Sequence, residues 1–243
     1  MPRDLDRTRR TWERLGATDP MWGVLTHKGM RGRWEAEDFF RHGTWEVDSL
    51  MTQFAMAGVD PPRDRVLDFG CGLGRLSFAL AEHFEQVVGV DLSRPMLEKA
   101  REYNHLGDRC QFFLYDGNDL HLFDDGSFGT VVSLMTLQHV PPERALVYVR
   151  ELVRVLRPGG ILAVQIPSER LRPERSFSER FRHGVHRGIA MVRRSAQMEM
   201  HAIAQREVTS ALESAGAAIA GVIGDGRAGR WGTSLLYVAR RST

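Results

Sequence analysis

Lysine is nearly absent from this 243-residue chain: Lys28 and Lys99 are the only two, so arginine carries almost all of the positive charge. Such usage is the habit of high-GC bacterial genomes before it is a sign of chemistry. Cysteine is scarce as well. Cys71 and Cys110 are too few for a disulfide framework and lack the paired spacing of a zinc site. No histidine and carboxylate set has metal-ligand spacing either, so no metal is expected. Long apolar runs are missing: nothing reaches the roughly 18 residues of a membrane span, and Met1–Arg10 alternates charges where a signal peptide would be apolar. A soluble, cytoplasmic protein with no membrane partner is therefore expected. Charge is nearly balanced, 33 Lys and Arg against 31 Asp and Glu, and that balance alone gives no reason to expect a nucleic-acid partner.

What is present is an alternation of strands and helices. Asp4–Leu15 has a helix-compatible apolar face in Leu5, Trp12 and Leu15. An aromatic stretch from Asp19 to Trp45 reads as irregular, and Glu46–Ala57 as a helix stopped by Gly58 and Pro61-Pro62. Arg65–Phe69 is then the first strand, Arg75–His83 a helix, Gln86–Val90 a strand and Arg94–Tyr103 a helix. Strands at Cys110–Tyr115 and Thr130–Leu134, a helix at Pro142–Leu156 and a fifth strand at Ile161–Ile166 continue the rhythm, which is that of a mostly parallel sheet covered on both faces. Ser168–Met200, rich in arginine, reads as an insertion. Arg206–Ala215 is a last helix, and Ala217–Ile223 and Ser234–Ala239 are closing strands. The expected organisation is a helical cap over 1–62, a core over 63–167, an insertion over 168–201 and a completing segment over 202–243.

The strand Arg65–Phe69 opens onto Gly70-Cys71-Gly72-Leu73-Gly74 and a helix start, the shape of a nucleotide-type site in which backbone approaches a ligand without a Cβ in the way. A dinucleotide fingerprint needs G-x-G-x-x-G, whereas Leu76 and Ser77 stand where its third glycine would fall. Asp68, just before the loop, would repel a pyrophosphate and suits a ligand with an amine and a sulfonium. Leu67–Gly74 resembles the first motif of class I S-adenosylmethionine (SAM)-dependent methyltransferases, of the small-molecule type. Asp91, Asp116-Gly117 and Leu152–Leu162 follow in that family's order. The likeness covers roughly 59–166, with a weaker match from 206 onward. Gly129, just before the fourth strand, departs from the aspartate common there. The resemblance implies a Rossmann-like, doubly wound, mostly parallel α/β sheet with an antiparallel C-terminal strand. It implies SAM as cofactor and places Asp68, Gly70, Cys71, Gly72, Asp91, Leu92, Asp116, Gly117 and Leu134 around it, Asp91 on the ribose hydroxyls and Asp116-Gly117 at the adenine.

Methyl transfer is an in-line displacement, and a hydroxyl acceptor also requires a base. His139, past the fourth strand, is either that base or a histidine packed at the cofactor's rim. His201, with Glu199 on the same face of an extended segment, is the competing base. The tryptophans of the N-terminal segment are either a lid over the sulfonium or anchors of the cap. The arginine-rich insertion admits a solvated face, a homodimer contact or a wall of the acceptor pocket. Cap and insertion favour a small acceptor, with a sugar or natural-product hydroxyl first and N- or C-methylation behind it. An NAD-type oxidoreductase and a non-catalytic SAM-binding or dimerisation module are the readings from other classes.

Overall fold

A computed structural model describes residues 3–27, 29–115, 117, 119–170 and 198–243. Its N-terminal part is helical: α1 (Arg3–Thr18), α2 (Pro20–Val24) and α3 (Ala36–Met56). The chain then alternates through β1 (Arg65–Phe69), α4 (Arg75–Leu80), β2 (Gln86–Asp91), α5 (Arg94–Tyr103), β3 (Cys110–Leu114), β4 (Phe128–Ser133), α6 (Pro142–Val155) and β5 (Leu156–Arg170). It closes with α7 (Gln205–Ser214), β6 (Ala217–Asp225) and β7 (Gly232–Arg241). The seven strands form one sheet in the order β3-β2-β1-β4-β5-β7-β6. β1 to β5 are mutually parallel, and β7 runs antiparallel to both of its neighbours. This is the expected doubly wound α/β sheet with its antiparallel C-terminal strand.

Alternation along each strand feeds two cores. Leu67 and Phe69 of β1 face α6 and α7 with Tyr148, Leu152 and Leu212, while Val66 faces the side of α3, α4 and α5 with Leu50, Leu80 and Leu97. A third cluster, Leu15, Leu25, Phe39, Leu73 and Met96, fastens the N-terminal helices to the loop region. Among the described residues no helix is long and apolar enough to cross a membrane.

Three expectations need correction. The segment before Trp45 is not irregular throughout, since α3 begins at Ala36 and its Phe39, Gly43, Val47, Leu50 and Phe54 are buried at helical spacing. The fifth strand outlasts Ile166, because Glu169 and Arg170 still pair with Thr233 and Gly232; Ser168–Arg170 thus belongs to β5 and not to the insertion. The helix at Arg75 ends at Leu80, short of His83. Leu171–Gln197, most of the insertion, lies outside the described residues, as does Asp116.

Candidate active site

The loop between β1 and α4 is built from glycines that the conformation requires. Gly70, Gly72 and Gly74 have φ of 79°, 54° and 79°, the left-handed region that a Cβ disfavours. At Gly70 space forbids a side chain as well: an added Cβ would lie 2.2 Å from Cγ2 of Thr136. Asp91, at the end of β2, braces the loop. Its Oδ2 accepts from the Gly72 amide at 3.0 Å and its Oδ1 from the Ser93 amide at 2.8 Å. A carboxylate has about four lone-pair sites, so Asp91 keeps acceptor capacity for a ligand hydroxyl.

Asp68 is buried and accepts a hydrogen bond from Ser77 Oγ at 2.6 Å. Burial raises its carboxyl to about 6, against the lowering effect of Ser77 and Arg75. Burial likewise lifts Asp91 to about 6, against hydrogen bonds from the Ser93, Gly72 and Leu92 amides. Cys71 is a packed thiol whose ionisation burial pushes up.

Past this loop lies a cavity of about 1070 Å³. Asp68, Gly70, Cys71, Gly72, Asp91, Leu92 and Leu134 all line it, so seven of the nine residues expected at the cofactor share one space. Gly117 is not among its lining residues, and its carbonyl accepts from Tyr148 Oη at 2.5 Å. The lining extends well beyond what the motifs indicated. Trp12 and Trp22 come from the cap, Trp45 and Glu46 from α3, and Asp225, Arg227 and Trp231 from the end of β6 and the turn that follows it. Trp34 is an anchor instead, donating from Nε1 to the Leu25 carbonyl at 3.0 Å and meeting Phe39 edge to face. Met135, also in the lining, holds a φ of 58°, and its amide donates to Gln165 Oε1 at 2.7 Å, which ties this strained residue to β5.

His139 lines the cavity in the 3-10 turn Leu137–His139. Its Nδ1 lies 2.8 Å from the Glu199 carbonyl and therefore carries the proton, leaving Nε2 to accept from Gln138 Nε2 at 3.1 Å. The ring meets Trp12 edge to face at 5.1 Å. Burial pushes the imidazole down to about 4, so it is neutral at pH 7. His201 does not line the cavity. Its amide holds the Gln138 carbonyl at 2.7 Å, and the Glu199 carboxylate turns instead to Arg7 at 2.5 Å. Among the described residues no group of three or more His, Cys, Asp or Glu side chains could hold a metal.

Against known proteins, residues 66–160 match the methyltransferase domain family. The match begins inside β1 and runs to the start of the fifth strand's core, over the glycine loop and Asp91. Over this stretch the chain is similar to methyltransferase domains. Among curated relatives it is 34% identical over 157 residues to 2-methyl-6-phytyl-1,4-hydroquinone methyltransferase of Synechocystis, which is 63% of this chain and 48% of that one. It is 33% identical over 152 residues to 27-O-demethylrifamycin SV methyltransferase of Amycolatopsis mediterranei, 60% and 52% of the respective chains. The chain thus spans about half the length of the curated relatives it matches. Among solved structures, magnesium protoporphyrin IX methyltransferase of Synechocystis with bound SAH superposes with a TM-score of 0.65 at 23% identity, over 98% of this chain and all of that one. The cyclase SpnF shares the fold at a TM-score of 0.62 and 17% identity, over 97% and 96% of the two chains. The domain's departure at Gly129 now has a reason: a Cβ there would lie 2.4 Å from Asp64 Oδ1 and 2.8 Å from Pro62 Cβ, so β4 admits no larger residue against the entry to β1.

Proposed function

We propose that the protein transfers a methyl group from SAM to a hydroxyl oxygen of a small acceptor, a sugar or another natural product. The observation that carries this reading is the cavity. Pockets for one drug-sized ligand measure about 300–1,000 Å³, and a space of about 1070 Å³ that begins at the glycine loop has room for a cofactor and an acceptor together. It argues against a closed, non-catalytic module, which would leave no space near the methyl group.

The residues fit the cofactor. Gly70 and Gly72 bring bare backbone to the cavity wall, Asp91 keeps acceptor capacity for a ribose hydroxyl, and the Trp12 and Trp22 rings supply faces that attract a sulfonium. SAM supplies an activated methyl group when bound. The chain's part is to align the acceptor, exclude water and take a proton. His139 is the group for the last task. The Glu199 carbonyl fixes its Nδ1 proton, so Nε2 presents the lone pair, and an acceptor hydroxyl would displace the Gln138 amide from it. That displacement, together with a ring held down at about 4, makes His139 a weak base. The same observation favours, as a second reading, an acceptor that gives up its proton readily or has none to lose, as in C- or N-methylation.

Calorimetry with S-adenosylhomocysteine (SAH) and with NADH tests the cofactor: SAH is expected to bind and NADH is not. Mass spectrometry of hydroxylated acceptors incubated with SAM tests the transfer. A product methylated on carbon or nitrogen would replace the O-methyl reading.

A further inference from the structure

The opening of the cavity carries a set of cations that the steps above do not use. Four of the chain's five tryptophans line the space, Trp12, Trp22, Trp45 and Trp231, together with Met135 and Met198. Such a lining suits an apolar body of ring size. Over three of these rings lies an arginine: Arg31 with its Cζ 4.8 Å from the Trp22 ring centre, Arg41 at 5.6 Å from Trp45, and Arg170 at 5.9 Å from Trp231. The ladder between β5 and β7 sets the last pair. Arg170, the final residue of β5, is in register with Gly232, which brings Trp231 beside it, and Arg230 precedes Trp231 in the cavity lining. Trp22 and Trp231 are partly exposed, and Arg31, Arg170 and Arg230 are exposed, so these guanidiniums stand where the cavity meets solvent.

Their charge is unmatched. Glu46 and Asp225 of the lining are paired with Arg75 and Arg227, while Asp68 and Asp91 lie at the glycine loop with Ser77 and backbone amides. Arg41 is held by Asp38. Asp19, the acid nearest Arg31 on its N-terminal side, accepts from the Gly32 amide at 2.8 Å. Arg31, Arg170 and Arg230 have no carboxylate partner among the described residues. A guanidinium laid over a ring keeps its N–H donors in one plane, directed away from the stack, where a carboxylate or phosphate meets them two at a time. We infer that the acceptor is an amphipathic anion, whose apolar body enters between the tryptophans and whose carboxylate or phosphate stays at the opening on Arg31, Arg170 and Arg230. The inference rests on the methyl-transfer reading and narrows its acceptor. It also orients that acceptor. Asp68 and Asp91 repel an anion from the glycine loop while the arginines attract it to the opening, so the end remote from the anionic group points at the cofactor.

The test is calorimetry on the full chain saturated with SAH, using one bicyclic body in three forms: 2-naphthol, 2-naphthoate and 2-naphthyl phosphate. At least one of the two anions is expected to bind about tenfold tighter than 2-naphthol at low salt, a modest factor because ion pairs open to solvent are individually weak. The tighter anion tells carboxylate from phosphate. About 0.5 M NaCl should remove most of the advantage, since it screens exposed charges and spares apolar contact. Replacing the three arginines together, Arg31→Gln, Arg170→Gln and Arg230→Gln, should abolish the advantage and leave 2-naphthol within about twofold. A SAH titration of that variant reports whether its cavity is intact. Equal affinities for all three ligands, an advantage that survives the triple replacement, or no binding of any of them would overturn the inference. Failure of SAH to bind the parent protein would instead overturn the methyl-transfer reading.

Discussion

Replacing Gly43 by alanine should destabilise the protein although it sits in mid-helix. In an ordinary exposed helix the exchange gains about 1 kcal/mol from propensity and chain entropy. Gly43 of α3, however, lies against the start of α4. An added Cβ would be 2.3 Å from the Arg75 carbonyl oxygen, and 3.0 Å from its carbonyl carbon and from its Cγ. The nearest of these atoms is backbone, so no rotamer change relieves the contact and α3 must move away from α4. Overpacking of that kind costs about 1–3 kcal/mol, and the shift also loosens Leu50 and Phe54 from their cluster with Leu76. With the propensity gain subtracted, a net loss of up to about 2 kcal/mol is expected. Urea unfolding followed by circular dichroism measures it, at matched slope. SAH affinity should fall in parallel, because Glu46 lies on the same helix three residues on. A variant more stable than the parent by about 1 kcal/mol, with SAH binding intact, would refute the packing of α3 on α4 and the route from it to the site.

Other outcomes follow from the same geometry. Asp68 binds its proton more tightly in the folded state, at about 6 against 3.8, so it costs stability as pH rises through that window and fully above it. Asp68→Asn should flatten that dependence and gain up to about 3 kcal/mol at pH 7.5, while lowering SAH affinity; a pH series of thermal melts reads it. His139 has the opposite sign. Held near 4 against 6.5, it contributes stability above 6.5 that is lost as pH falls toward 4, up to about 3 kcal/mol. His139→Ala should lack that loss, keep SAH affinity and reduce turnover of a hydroxyl acceptor roughly 100-fold; unchanged turnover removes the base assignment. Asp91→Ala should weaken SAH about 100-fold by calorimetry, since hydrogen bonds to a charged group are worth about 1.5–3 kcal/mol each.

The parts of the fold legible in the sequence were those where local pattern and burial agree. β1 and α5 have the bounds that hydrophobic runs and Pro95 near a helix start suggested, Arg65–Phe69 and Arg94–Tyr103. α3 was half concealed, because the aromatic stretch from Asp19 to Trp45 reads as irregular, while Gly43 within it admits a neighbouring helix and does not end its own. β5 was cut short at Ile166 since charged residues follow, but Glu169 and Arg170 reach the sheet's end, where exposure costs nothing. The glycine loop, Asp68 and Asp91 were found because short spacing encodes them. Glu46, Arg227 and Trp231 were not: they converge only through the sheet order, and no local signal in any of the three segments points to the others.

The position of β7 has a consequence for how the site comes into being. This last strand lies between β5 and β6, and pairs with both. β6 therefore has no ladder partner until residues 232–241 have left the ribosome, and Asp225, Arg227 and Trp231 cannot reach the cavity before then. The glycine loop and Asp91 are synthesised more than a hundred residues earlier, so a nascent chain holds half a cofactor cradle for most of its time on the ribosome. Ligand capture thereby waits on the synthesis of β7. A chain released before β7 would keep the glycine loop but lack the wall that closes over its ligand.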